Sequence, residues 1–471
     1  MKLPFGPGAR RSSYEMDMTN GPLVSKTILF AIPLALSGIL QLLFNAADII
    51  VAGRFAGSQA LAAVGSTSAL IQLIVNLFIG LSIGVNVLVA RYYGGSDQKD
   101  LSETVHTSVL VGLLSGVALI FLGIGLSRPL LEWMGTPADV IDQSVLYMRI
   151  YFVGMPAGML YNFGSAILRA VGDTQRPLYF LFIAGVVNVV LNLFLVIVFH
   201  LGVAGVAIAT VISQCISAGL VLLCLVRSDA VYRVDLKSLR VYKHKLLQMV
   251  KIGVPAGIQS ATFSISNVLI QSSINSFGSI AMAGSTAGGN IEGFVWTAMD
   301  AFTQSTLSFT SQNFGAKKFK RITKVIWYNL ALVTVVGLVL GVGAYWMGRP
   351  LLSIYSTDPE VIAYGLERML LVCTPYFTCG IMNVLVGAMR GFGSSLTPMA
   401  ASIFGVCVLR VIWIYTVFPL NRTFFMLFLS YPLSWVATAL IEAVCFYFIR
   451  KRAIAKVGGM AADQDLSLIH I

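Results

Sequence analysis

The chain repeats itself. Arg128-Pro129-Leu130-Leu131 recurs as Arg349-Pro350-Leu351-Leu352, Gly94 as Gly315, Arg169 as Arg390, Gly172 as Gly393 and Pro177 as Pro398. All of these pairs share one offset of 221 positions (315 minus 94, 390 minus 169), a coincidence that chance does not readily produce. Both copies are dominated by apolar stretches of roughly 20 residues or more, enough to cross a hydrocarbon layer of about 30 Å. A duplicated membrane bundle is the usual architecture of a secondary carrier, with its site within or between the halves.

Composition agrees with that reading. Of the 471 residues, 57% are hydrophobic and only 11% charged, too few charges to clothe a soluble domain of this size. The beginning of the chain shows no short apolar segment ahead of a small-residue cleavage site, so the first span is expected to direct insertion. Twelve spans are expected at 23–52, 59–88, 104–126, 138–163, 177–199, 202–226, 246–274, 281–311, 324–347, 360–388, 396–418 and 423–449. The expected organisation is a tail at 1–22, an N-lobe at 23–226, a linker at 227–245, a C-lobe at 246–449 and a second tail at 450–471. Six is an even number, so both lobes insert with one orientation. The fold class is all-α and integral to the membrane, with twelve helices in two six-helix lobes related by a pseudo-twofold along the membrane normal. The closing Ser467-Leu468-Ile469-His470-Ile471 resembles nothing upstream and is assigned no role.

A net charge of +12 invites a nucleic-acid reading, but its distribution argues against one. Basic residues crowd the linker (Arg227, Arg233, Lys237, Arg240, Lys243, Lys245, Lys251) and the segment after the eighth span (Lys317, Lys318, Lys320, Arg321, Lys324). This is the positive-inside pattern, and it places both termini in the cytoplasm. The six cysteines lie in apolar segments with no Cys-x-x-Cys pair, and there are four histidines, so neither disulfides nor a transition-metal site is expected. No Gly-x-x-x-x-Gly-Lys-Ser/Thr loop occurs, which removes ATP hydrolysis as a driver. No covalent chemistry, resident cofactor or obligate protein partner is expected; the partners are membrane lipid and a small-molecule substrate. Pro33 and Pro255 sit inside the first and seventh spans. Each removes a backbone hydrogen bond, leaving either a static kink or a bending point.

Four stretches resemble a known family, the multidrug and toxic compound extrusion (MATE) transporters. They are Asn45-Ala46-Ala47-Asp48 with Gly53 beyond, Leu168-Arg169-Ala170-Val171-Gly172-Asp173-Thr174-Gln175-Arg176-Pro177, Gly202 through Thr210, and Ser311-Gln312-Asn313-Phe314-Gly315-Ala316. The resemblance covers all twelve spans and the duplication. It implies cation-driven export of small organic molecules, driven by Na+ or H+, through two lobes that alternate access in a bacterial inner membrane.

The residues themselves suggest where the ion goes. Asp48 is the only carboxylate in the apolar part of the first half, and a charge at membrane depth costs at least about 2.5 kcal/mol. Asn188 and Asn192 share one helix face at i and i+4. Asn192 precedes Leu201 by as many residues as Thr210 follows it, so a tight hairpin puts the two at one depth. One carboxylate, two amide oxygens and a hydroxyl suit a hard monovalent cation, and the resemblance matches Asp48, Asn188, Asn192 and Thr210 to the family's N-lobe sodium site. Some members carry Asp where this chain has Asn192. Three readings stand: a cation site, a proton site at Asp48, and hydrogen-bonded glue between helices.

In the second half, some members carry a Glu in the seventh span and an Asp in the tenth; this chain has Phe263 and Cys379 at the matching positions. It offers instead a polar stripe, Ser260, Ser264, Asn267, Gln271 and Asn275, and an acid–aromatic–acid face, Glu292, Trp296 and Asp300, at i, i+4 and i+8. Together with Asn45, the residues Asn267, Gln271, Glu292, Trp296 and Asp300 are candidates to line a substrate cavity, the acids and indole attracting an organic cation. The competing reading pairs these acids with Arg410, for which Glu442 is a second possible partner. Two other functions remain in view: a lipid-linked oligosaccharide flippase of the same superfamily, argued against by twelve spans and embedded acids, and a non-pumping channel or receptor.

Overall fold

The duplication seen in the sequence is also a duplication of helices. The computed structural model describes residues 14–457, and the closing pentapeptide lies outside them. The first half comprises α1 (Leu23–Val51), α2 (Ser58–Gly94), α3 (Gln98–Trp133), α4 (Ile141–Val153), α5 (Met155–Ala170), α6 (Gln175–Leu193) and α7 (Gly202–Val226). The second comprises α8 (Lys243–Asn275), α9 (Ser279–Gly315), α10 (Phe319–Trp346), α11 (Gly348–Ser353), α12 (Pro359–Val372), α13 (Tyr376–Gly391), α14 (Leu396–Ser402), α15 (Leu409–Thr416) and α16 (Phe424–Val457). Shifting both ends of α2 by 221 gives α9, and shifting both ends of α5 gives α13. The turns repeat as well. Positive φ recurs at Gly57 and Gly278, at Ser96 and Lys317, and at Gly172 and Gly393.

Local chemistry sets the helix ends. The Asp97 carboxylate accepts the Asp100 N–H at 3.1 Å to open α3, and Asp358 accepts the Glu360 N–H at 2.9 Å, with Pro359 behind it, to open α12. Two expected spans are broken. The fourth divides into α4 and α5 at Gly154, ahead of Pro156, and runs on to Ala170; the tenth bends by 44° between α12 and α13, at Pro375. The first, fifth and eleventh spans each contain a π turn, at Ala52–Ala56, Phe194–Val198 and Ile403–Val408.

Among the described residues, eight helices are individually long and apolar enough to cross a membrane, and the bent pair makes a ninth. The remaining three of the twelve spans are α4 with α5, α8 and α9. At 13 and 16 residues, α4 and α5 are each too short alone, while α8 and α9 carry many Ser, Thr, Asn and Gln residues. At 33 and 37 residues, α8 and α9 are ample in length.

The chain forms two compact units; two of their three borders run through helices rather than through the polar linker, and the third falls between Met16 and Asp17, ahead of α1. One unit is Leu36–Gly257 with the chain up to Met16; the other is Asp17–Ala35 with the chain from Ile258. Each of the two borders inside a helix falls two residues after an intrahelical proline, Pro33 or Pro255. In the first unit, the start of α8 lies on α2 through two Gly-x-x-x-Gly pairs. A β-carbon on Gly80 would meet Gly257 N at 2.4 Å, and one on Gly253 would meet Leu81 Cα at 2.5 Å, an approach only glycine permits. In the second unit, the start of α1 is held by Phe30 edge-on to Phe309 (5.6 Å) and by Ala31 in the core. The described part of the leading segment is also well anchored. The Glu15 carboxylate accepts from Tyr93 (2.9 Å) and Tyr232 (2.8 Å) in the first unit, and the Arg321 guanidinium donates to the Met18, Asn20 and Gly21 carbonyls in the second. Buried Tyr232, in the linker, has its hydroxyl pushed up by burial and by the neighbouring Glu15 charge.

Candidate functional site

In the first unit the four residues read from the sequence come together. α1 delivers Asp48, α6 delivers Asn188 and Asn192, and α7 delivers Thr210. Asn192 Nδ2 donates to Asp48 Oδ1, and Thr210 Oγ1 donates to Asp48 Oδ2 at 3.4 Å. Asn192 Nδ2 also reaches Asn188 Oδ1 at 3.3 Å, and Asn188 Nδ2 reaches Thr210 Oγ1 at 3.4 Å. Asp48 is 8% exposed, Asn188 4% and Asn192 0%, whereas Thr210, at the edge of the network, is half-buried. The helices carrying Asp48 and Asn192 each loosen into a π turn within one or two turns of the site, and those two π turns touch. Such turns often mark functional positions, because they re-aim side chains without ending the helix.

The donor set bears directly on what the site holds. Asn192 Oδ1 is buried and accepts no hydrogen bond, an oxygen without its usual partner. Both Asp48 oxygens, Asn188 Oδ1 and Thr210 Oγ1 are members of the same network, so the four side chains can offer oxygens with one formal negative charge. That chemistry fits a small hard cation. Among the described residues no group of three His, Cys, Asp or Glu could hold a metal, so the cluster offers amide oxygens where a divalent site would gather carboxylates.

Two neighbours escaped the sequence reading. Tyr147 and Tyr151, stacked one turn apart on α4 with centroids 6.1 Å apart, lie close enough to feel the Asp48 charge. Their i, i+4 spacing was visible, but nothing in the sequence placed them near Asp48. Asn45 is exposed, a turn before Asp48, and lies outside the network.

In the second unit the proposed acid–aromatic–acid face is partly committed elsewhere. Glu292 Oε2 accepts from Arg368 Nη2 at 2.7 Å, and Arg368 also donates to the Ser285 hydroxyl at 2.7 Å. Tyr376 OH donates to Glu292 Oε1 at 3.4 Å. The partner of Glu292 is thus Arg368 on α12, not Arg410. Trp296 keeps 38% of its surface exposed, and Asp300 is half-buried. Arg410 instead donates to Ser434 Oγ at 3.0 Å and lies 4.0 Å over the Tyr431 ring. Asn267, Gln271 and Asn275 are exposed along α8, Gln271 donating to Asn275 at 3.0 Å. Exposed amides within a span are costly against hydrocarbon, so this face suits a water-lined surface. Phe263 packs at the core edge and Cys379 is buried beneath Asn383, leaving no carboxylate at either position.

Comparison with known proteins agrees with the repeat. The sequence model of the MatE family matches twice, over residues 33–194 and 255–416. A probable multidrug resistance protein, YoeA of Bacillus subtilis, is 29% identical over 436 residues, covering 90% of this chain and 93% of its own. An FAD transporter of Shewanella oneidensis is 24% identical, covering 91% of this chain and 94% of its own. Among solved structures, an outward-facing MATE family transporter of the MOP superfamily superposes with a TM-score of 0.86 at 20% identity, over 95% of this chain and all of that one.

Proposed function

The chain belongs to the MatE family, and from that premise we propose that it is a cation-driven exporter of small organic, cationic amphipathic compounds, with Asp48 as its coupling residue. The observation that carries this reading is the hydrogen-bonded Asp48–Asn188–Asn192–Thr210 network with its unpartnered Asn192 oxygen. The name of the relative YoeA, a probable multidrug resistance protein, supports drug export in general.

The physical logic is linkage. A carboxylate at membrane depth is costly when alone, and a bound Na+ or H+ offsets that cost. Asn188, Asn192 and Thr210 supply oxygens that follow α6 and α7, while Asp48 rides on α1. An ion held by all three helices favours whichever arrangement keeps them together. It drives transport only through that difference in affinity between states. Asn192 in place of a second acid leaves a single negative charge, which one monovalent ion balances. On the substrate side, the exposed Trp296 ring and the Asp300 carboxylate supply the attraction for an organic cation, and Glu292 joins them on exchanging Arg368 for the substrate.

The setting is a bacterial cytoplasmic membrane with both termini inside. Reporter fusions after Lys245 and Lys324 should read cytoplasmic and one near Asn421 external; an external reading at Lys245 would overturn the 6+6 topology. Vesicles loaded with a labelled cationic drug test transport itself. Counter-flow driven by unlabelled drug identifies a carrier, and its absence would identify a channel.

A further inference from the structure

The C-terminal unit buries a second carboxylate that the Asp48 account does not use. Glu442, on α16, is 0% exposed. Its Oε1 accepts from Ser402 Oγ at 2.6 Å, while its Oε2 is buried with no hydrogen-bond partner. The bonding continues away from it. Ser402 Oγ accepts from Gln259 Nε2 at 2.9 Å, and Gln259 Oε1 accepts from Arg390 Nη2 at 2.7 Å. Arg390 is 9% exposed and its Nε is likewise unpartnered. Every donor in this line points toward Glu442, so its carboxylate is the terminal acceptor of a relay that starts at a guanidinium. The four residues come from α16, α14, α8 and α13.

Arg390 is the one basic residue of the relay, and it lies near a second acid, Asp300, as well as Glu442. The other titratable groups facing Glu442 are Cys379 on α13 and Cys445 on its own helix. Arg410 on α15 is engaged with Ser434 and Tyr431, Arg368 on α12 is paired with Glu292, and α14 brings no charge. Cys407 is the one titratable residue of the π turn after Ser402. A metal cation suits the relay poorly: its remaining oxygens are those of Glu442 and the Ser402 hydroxyl, because Gln259 Oε1 is already taken by Arg390, whose own charge repels a cation.

We propose that Glu442 is a second proton-binding group of this transporter, loaded on Oε2 and linked to Arg390 through Ser402 and Gln259. This rests on the transport reading above and adds a proton site in the unit that lacks Asp48. Loading adds one proton to the carboxylate oxygen and gives the neutral acid, with no other bond formed or broken. Release returns the proton from the same oxygen to water. Protonation removes the charge on which the relay ends. The Ser402 bond to Oε1 then weakens from a charge-assisted to a neutral one, and Gln259 and Arg390 lose the gradient that aligns them.

Infrared difference spectra of the purified full-length protein, recorded across a pH series, test this directly. The wild type should show the carbonyl band of a buried carboxyl that titrates. Glu442→Gln should lose that band, and Asp48→Asn should keep it, so failure of this proposal is separable from failure of the Asp48 reading. Glu442→Asp should restore a titrating band at a shifted frequency, and this variant decides the matter alone if Glu442→Gln does not accumulate. In vesicles, Glu442→Gln should lose most proton-driven export while still binding drug. A titrating band that is unchanged in both Glu442 variants would overturn the proposal.

Discussion

The two halves share a skeleton and divide the polar chemistry between them. Shifting the N-terminal cluster by 221 positions takes Asp48, Asn188, Asn192 and Thr210 to Leu269, Leu409, Trp413 and Tyr431. Where the first unit gathers oxygens, the second gathers rings. Tyr431 packs on Trp435 at 5.7 Å, Trp435 on Tyr376 at 5.1 Å, and Arg410 lies over Tyr431. The exchange also runs the other way. Arg368, Glu292 and Glu442 stand where the first half has Tyr147, Ile71 and Val221, whereas Arg390 repeats Arg169. Helix ends, turns and close-approach positions are thus duplicated because they define the bundle. Ionisable side chains are not, because each buried charge must find partners, and two copies need not find the same ones.

That contrast can be broken experimentally. The largest effect is expected from the aromatic cluster. Trp435→Ala should cost about 3–5 kcal/mol of stability, read as thermal unfolding in detergent, whereas Gln214→Ala at the matching position should cost under about 1. Equal losses would mean that the halves are held in the same way. Next, Arg368→Gln should cost about 3 kcal/mol by stranding Glu292, and the double variant with Glu292→Gln should recover much of the loss. Additive losses would show that the pair is not coupled. In the oxygen cluster, Asn188→Ala and Thr210→Ala should each raise the half-saturating ion concentration for transport about tenfold, equivalent to about 1.4 kcal/mol, with some export retained. Unchanged ion dependence would reduce the cluster to glue. The smallest effect is selectivity: Glu292→Gln should weaken export of cationic drugs by about 1 kcal/mol more than export of neutral ones. Equal weakening would assign Glu292 to the ion pair alone.

Much of this was legible in the chain because hydropathy and duplication are strong, redundant signals. The span at 202–226 coincides with α7, and the residues of the Asp48 cluster were reached from helical spacing, hairpin depth and the family resemblance together. What stayed hidden depended on tertiary placement. A broken helix such as α4–α5 reads as one apolar run, since Gly154 and Pro156 punctuate it without changing its hydropathy. The π turns leave no trace in composition. The relay from Arg390 to Glu442 draws on residues from four helices with no fixed spacing, and the partner of Glu292 proved to be an arginine that the sequence did not single out. The unit borders at Leu36 and Ile258 lie inside helices, where neither charge nor a loop announces them.

The central claim is that Asp48 couples ion movement to export. Asp48→Asn keeps the shape of the side chain and removes its charge. Purified, reconstituted in vesicles and supplied with a sodium or a proton gradient alone, this variant should insert and bind drug, yet lose ion-driven export under the gradient that powers the wild type. Export at the wild-type rate under that gradient would make Asp48 a structural hydrogen-bonding residue and would contradict the mechanism.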